Sequence, residues 1–258
     1  MNIIVFILGL IMGSFLNVVV LRLKTNEKFV KGRSHCDKCD HILKWYENIP
    51  LLSYVFLFGK CSKCKQNISF QNPLVELATG ILFFITYLNI FNGLNILFLI
   101  FYLIIVSFLI IIFIYDLKYY LILDKVSIPA IVIVFLFQLL FLILGYQSFN
   151  NFLFVILSGV IGGGWFALQF FLSKGKWVGG GDIRLGFLMG LVLGWPGILV
   201  ALGLAYVGGT IILLPFVLVK KKKMKSQIPF GTFLVPATIA VMFWQVQIIE
   251  YYLSIFYI

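Results

Sequence analysis

Few side chains in this sequence can do chemistry, and those that can are carboxylates and thiols set in or beside long apolar runs. Asp116 ends one such run in Ile114-Tyr115-Asp116-Leu117-Lys118, and Asp182 opens another directly after Gly179-Gly180-Gly181. Asp124 lies in the short stretch between two runs, and Glu76 stands at the start of a further one. A carboxylate at the edge of a hydrocarbon-embedded segment is costly unless it is paired or lines a wet cavity, so each is a functional candidate. Two carboxyl groups held close together cannot both ionise cheaply, so one keeps a proton while the other acts as a base. Such a pair can draw a proton from water, which attacks a carbonyl while the neutral partner donates to its oxygen, without a metal or a covalent intermediate. The glycines before Asp182 leave room for an extended backbone and permit a sharp bend, which makes Gly180 and Gly181 candidate substrate contacts. Plainer roles stay open on these residues alone. Asp116 can end a helix in interfacial water beside Lys118, Asp182 can cap its helix, and Glu76 suits the dipole of a first turn.

The thiols form a second constellation. Cys36-x2-Cys39 and Cys61-x2-Cys64 are separated by 21 residues, close to the spacing of two zinc knuckles that jointly give tetrahedral thiolate coordination. Four thiolates leave no open position for water, so zinc here would be structural. Two disulfides or a redox pair are the other readings. The first disagrees with a cytoplasmic location, where thiols stay reduced, and the second lacks its usual βαβ setting. His35 and His41 flank the first pair and offer an alternative ligand set.

The elements that must position these groups are membrane helices. Of 258 residues, 62% are hydrophobic and 11% charged, far more apolar surface than a soluble core can use. The expected class is all-α: a polytopic membrane protein of about eight transmembrane helices with a small cysteine-rich cytoplasmic loop. The spans fall near 2–21, 74–91, 96–115, 127–146, 151–172, 183–195, 198–219 and 231–256, and Gly194-Trp195-Pro196-Gly197 reads as a turn or a kink. The first apolar stretch lacks a positive leading region and a small-residue cleavage site, so it reads as a retained helix. With the N-terminus outside, the loops 22–73, 116–126, 173–184 and 220–229 face the cytoplasm and hold all 20 Lys and Arg residues. That one-sidedness fixes orientation, puts the C-terminus outside as well, and explains the +11 charge as topology rather than nucleic-acid binding. Three parts result: the first helix at 1–21, the zinc-binding loop at 22–73 and an embedded domain at 74–258. Asp116 and Asp182 then share the cytoplasmic interface. A proton- or cation-coupled transporter is disfavoured because both lie near one face and no matching repeats occur. A scaffold that works through its cysteine loop is the other rival.

These landmarks resemble the bacterial type IV prepilin peptidases, leader peptidases with N-methyltransferase activity. Gly13-Ser14-Phe15-Leu16-Asn17-Val18-Val19, Glu47-Asn48-Ile49-Pro50-Leu51-Leu52-Ser53-Tyr54, Gly59-Lys60-Cys61, Asn72-Pro73-Leu74-Val75-Glu76, Gly180-Gly181-Asp182 and Ile228-Pro229-Phe230-Gly231 carry the likeness over nearly the whole chain. The resemblance implies an aspartyl endopeptidase of the GxGD type, similar to presenilins, with Asp182 and Asp116 catalytic. It implies cleavage of a basic prepilin or pseudopilin leader after a glycine, at the cytoplasmic face of a bacterial plasma or inner membrane. S-adenosylmethionine would serve if the new N-terminus is then methylated, although no cofactor motif in the sequence announces it. Asp124 is expected to orient substrate or serve structure. Departures from the pattern are Asp37 where a proline is usual, Asn72 where a tyrosine is usual, and a stretched patch made of Leu123-Asp124 and Ile128-Pro129. The composition fits an AT-rich genome, and a competence pseudopilus is the expected system.

Overall fold

The computed structural model describes residues 2–25, 34–36, 38–39, 41–90, 96–218 and 229–256. The loop at 92–95, the Lys220 to Lys223 run and Asp37 therefore lie outside the described residues. The helices are α1 (Asn2–Thr25), α2 (Leu52–Phe56), α3 (Gln71–Ile90), α4 (Ile96–Tyr119), α5 (Asp124–Ile143), α6 (Phe149–Ser173), α7 (Gly180–Leu218) and α8 (Gly231–Phe256). All but α2 are long and apolar enough to cross a membrane, seven in total among the described residues. This is an all-α, multi-pass membrane protein.

The eight spans read from sequence become seven helices because two of them join in α7. At about 1.5 Å per residue its 39 residues would run roughly 58 Å, nearly twice a bilayer core. The helix breaks where Gly194 takes φ 63° and ψ −167° and Trp195 takes ψ 138°, just before Pro196. The break frees the Leu191 carbonyl, whose helical partner would be the N–H of residue 195. In lipid such a carbonyl must find another donor, and the buried Gln138 of α5 supplies one, its Nε2 donating at 2.9 Å.

The chain divides into two units, Met1–Ile111 and Ile112–Ile258. In the first, α1 packs on α3 at very short range. A Cβ on Gly9 would lie 2.8 Å from the Gly80 Cα, and one on Gly13 would lie 2.7 Å from the Glu76 Cα. Small residues four apart let backbones meet where lipid offers no hydrophobic drive for association. In the second unit α6 and α7 use the same device. Gly162 and Gly186 face each other so closely that a Cβ on either would overlap the other's carbonyl oxygen, and Gly190 sits likewise on Ser158. This seam fixes α7, and with it the height of Asp182 at its start.

Candidate active site

Asp116 occupies the last turn of α4 and is 4% exposed. Its Oδ2 accepts the backbone N–H of Thr232 at 3.1 Å, from the first turn of α8. Gly231 lies against the same oxygen: a Cβ there would stand 2.8 Å from Oδ2 and 3.2 Å from the carboxyl carbon. The start of α8 thus offers a carboxylate the unpaired N–H groups and positive dipole end that helices present there. Phe230 is held from behind by rings of α6 and α7, with centroids 5.9 Å from Phe166 and 5.0 Å from Tyr206. Tyr206 is in turn fixed by Trp165, whose Nε1 donates to its hydroxyl at 3.1 Å, and by Gln169, whose Nε2 donates at 2.8 Å.

Asp182 is the third residue of α7 and is half-buried. Its Oδ2 accepts the Gly179 N–H at 2.9 Å, the reach-back of a capping box. The helix-capping role allowed by the sequence therefore exists, and it engages one oxygen of the two. Ile122 joins the aspartates' neighbourhoods. A Cβ on Gly181 would lie 2.7 Å from the Ile122 Cβ, while the Cδ1 of Ile122 lies 3.2 Å from the same position on Gly231. The two carboxyls come near enough for their charges to interact. Gly180, by contrast, has open space where its side chain would be. Two carboxyls, one sunk among N–H donors and one at a glycine-lined edge, can activate a water between them.

Asp124 departs from its expected place in a loop: it is the first residue of α5, and it pairs with Arg184, two positions beyond Asp182. Both partners are well exposed, at 55% and 38%, so the pair links the starts of α5 and α7 with little burial. Glu76 also departs from expectation, being the sixth residue of α3 and buried rather than a first-turn acid. It accepts the Leu51 N–H at 2.8 Å and tethers the cysteine loop to the spans. Arg184, Thr232 and Tyr206 were not legible as site residues. Arg184 is one cation among many, and backbone donors carry no residue-type signature.

The cysteines cluster as the spacing requires. All four Sγ atoms lie within 4.8 Å of one another, with Cys36 and Cys64 at 3.9 Å, and all are free thiols. Tetrahedral zinc with bonds of about 2.3 Å places its sulfurs roughly 3.8 Å apart, so the donor set fits a metal ion. The N–H groups of Cys64 and Lys63 push the Cys61 thiol down to about 6. Although the backbone of His41 pulls the other way, loss of water and contact with the other sulfurs push Cys39 up to about 11. Glu47 is buried and ties together residues that flank the cysteines. Burial alone would raise its carboxyl, but the Lys44 N–H, at 2.6 Å, together with Ser62 and His41 outweighs that and holds it below the usual carboxylate range. His41 lies 3.5 Å from Glu47, a partner of that carboxylate, while the sulfurs form the cluster.

The family model for the Bacterial Peptidase A24 N-terminal domain matches residues 7–90, and that of the Type IV leader peptidase family matches residues 103–214. A prepilin leader peptidase/N-methyltransferase from Aeromonas salmonicida is 30% identical over 97% of this chain and 93% of its own length. The chain belongs to the type IV leader peptidase family. A relative of the same name from Bacillus subtilis is 28% identical over 97% of both chains. One from Myxococcus xanthus reaches 54% identity over 79 residues, which are 31% of this chain and 24% of that relative. No solved structure matches the chain. The two matched segments cover both constellations: the cysteine cluster lies in the first and Asp116 and Asp182 in the second.

Proposed function

We propose that this protein is an aspartyl endopeptidase that removes the basic leader of a type IV prepilin or pseudopilin. The observation that carries the reading is the convergence of Asp116 and Asp182 at the ends of α4 and α7, with the α8 N-terminus donating to Asp116. In this reading the aspartates are the catalytic pair. Together they hold one proton, draw another from a water and return one to the departing amine. The open space at Gly180 admits the extended backbone around the scissile glycine, while Gly181, closed off by Ile122, serves the packing beneath it. A prepilin with a basic cytoplasmic leader followed by an apolar helix presents its cut at the depth of span ends. With α7 crossing out and back about its break at Gly194 and Trp195, the chain makes eight crossings, and the one-sided Lys and Arg residues then support an orientation with both termini outside and the site at the cytoplasmic face of a bacterial plasma membrane.

Cys36, Cys39, Cys61 and Cys64 would hold structural zinc, which cross-links a loop too small to build a core of its own. The likeness to relatives named prepilin leader peptidase/N-methyltransferase supports a second step, methylation of the new N-terminus from S-adenosylmethionine. Among the described residues there is no strand–turn–helix of the kind that cradles such a nucleoside.

Co-expression with a candidate prepilin, read by mass spectrometry of the pilin N-terminus, tests the assignment. Asp116→Asn and Asp182→Asn should each abolish leader removal at normal membrane abundance. Efficient cleavage by either variant would remove that residue from catalysis and reopen the transporter and scaffold readings.

A further inference from the structure

The segment from Leu52 to Phe58 carries an apolar face that no other part of the described chain covers. Leu52, Val55, Phe56 and Phe58 are 54%, 65%, 75% and 89% exposed. On a spanning helix such exposure is ordinary lipid-facing surface. The five residues of α2, however, extend only about 8 Å and cannot span a bilayer. Contiguous exposed apolar surface outside the spans calls for something to cover it.

Two contacts set the level at which this face lies. Glu76 accepts the N–H of Leu51, the residue just before α2, at 2.8 Å. Tyr54 meets Phe70, the residue just before α3, edge to face with ring centroids 6.4 Å apart. Glu76 is roughly 8 Å along α3 from its start at Gln71. The contacts therefore pin α2 beside the mouth of α3, at the height where that span leaves the hydrocarbon. Ser53 and Tyr54 are half-buried, while Leu52, Val55 and Phe56 recur at the spacing of one outward helix face.

Along residues 41–70 the exposed charge has one sign. Residues 41–70 contain four lysines, no arginine and one acid, the buried Glu47. Lys60, Lys63 and Lys65 are all exposed in the turns that follow Phe58. Aromatic side chains and lysines at the height of a membrane boundary match an interfacial anchor, with rings at the acyl boundary and ammonium groups on lipid phosphates. A second copy docking through the same patch would bring like charges together, and a basic peptide would be repelled. Anionic lipid suffers neither objection.

We propose that Leu52, Val55, Phe56 and Phe58, with Lys60, Lys63 and Lys65 beside them, dock the cysteine loop onto the anionic surface of the bilayer that α1 and α3 span. The loop is then a membrane-seated platform, held by lipid on one side and by Glu76 on the other. This holds whatever reaction the aspartates perform.

The full chain is reconstituted in vesicles of phosphatidylcholine with or without phosphatidylglycerol. Phe56→Trp adds one indole, read as the difference from the parent protein, and Phe58→Trp gives a second, independent reporter. In phosphatidylglycerol vesicles, lipids brominated high on the acyl chain should cut the added emission by roughly twofold or more, and aqueous acrylamide should quench it little. The Lys60→Gln/Lys63→Gln/Lys65→Gln variant should lose the dependence on phosphatidylglycerol. Reporters that stay open to acrylamide and blind to brominated lipid in both vesicles overturn the proposal. So does shielding that appears only as the protein-to-lipid ratio rises, which would mean a second copy covers the face. Equal quenching in the two vesicle types would overturn the requirement for anionic lipid.

Discussion

Replacing Gly231 by alanine separates positioning of Asp116 from stability of α8. The residue sits in the first turn of α8 with an ordinary helical φ, so alanine is favoured there on propensity by up to about 1 kcal/mol. What opposes it is the added methyl, 2.8 Å from the Asp116 Oδ2, 3.2 Å from the carboxyl carbon and 3.2 Å from the Ile122 Cδ1. Ordinary carbon–oxygen contact begins near 3.4 Å, so the carboxyl must retreat by roughly 0.6 Å. The bond from the Thr232 N–H, already 3.1 Å, then stretches past useful length. Misplacement by about 1 Å costs on the order of a hundredfold in rate, so Gly231→Ala should lower kcat for leader removal by about tenfold to a hundredfold. That corresponds to about 1.4 to 2.7 kcal/mol of barrier. KM should change little, because the methyl faces the carboxyl rather than the glycine-lined edge. Single-turnover cleavage of a detergent-solubilised prepilin, followed by mass spectrometry, reads the rate, and the membrane fraction reads abundance. Gly203→Ala, at a site with no neighbour within 4 Å, is the control and should match the parent. A parent-like kcat in Gly231→Ala would refute the claim that the start of α8 sets the Asp116 carboxyl.

The triple Gly162-Gly163-Gly164 should divide sharply. Gly162→Ala drives a methyl into the Gly186 carbonyl and should lower thermal stability in detergent by about 1 to 3 kcal/mol, whereas Gly164→Ala meets nothing and should be neutral. In metal-free protein, Cys61 titrates near 6 and is mostly thiolate at pH 7, so its alkylation by iodoacetamide, read by peptide mass spectrometry, should plateau above neutrality and fall below pH 6. Cys39, titrating near 11, should still be gaining reactivity at pH 9, and zinc should protect both. Reversing the exposed pair with Asp124→Arg and Arg184→Asp should restore the few-fold loss caused by either change alone if Asp124 serves structure. A KM that stays raised in the double variant would instead place Asp124 on the substrate.

What could be read from sequence is what carries a free-energy penalty in the wrong solvent. Asp116 and Asp182 stand out because charge at a span edge is costly, and the cysteines because their spacing has few other uses. The break in α7 was visible as Gly194-Trp195-Pro196, yet its consequence was not, since the freed Leu191 carbonyl is satisfied by Gln138 from another helix 53 positions away. Partners of this kind are invisible to periodicity. The same holds at Asp116, where Thr232 works through its backbone N–H and any residue but proline would supply one. Gly231 is the exception that explains the rule. Its neighbour's donor is anonymous, but the space that donor needs is not, because only a residue without a Cβ lets the start of α8 come that near a carboxyl. The Pro229-Phe230-Gly231 run is therefore the sequence trace of a contact made by backbone. In a bilayer, where helix ends must find partners within the protein, a glycine in a first turn next to a buried acid is a sign of where that partner lies.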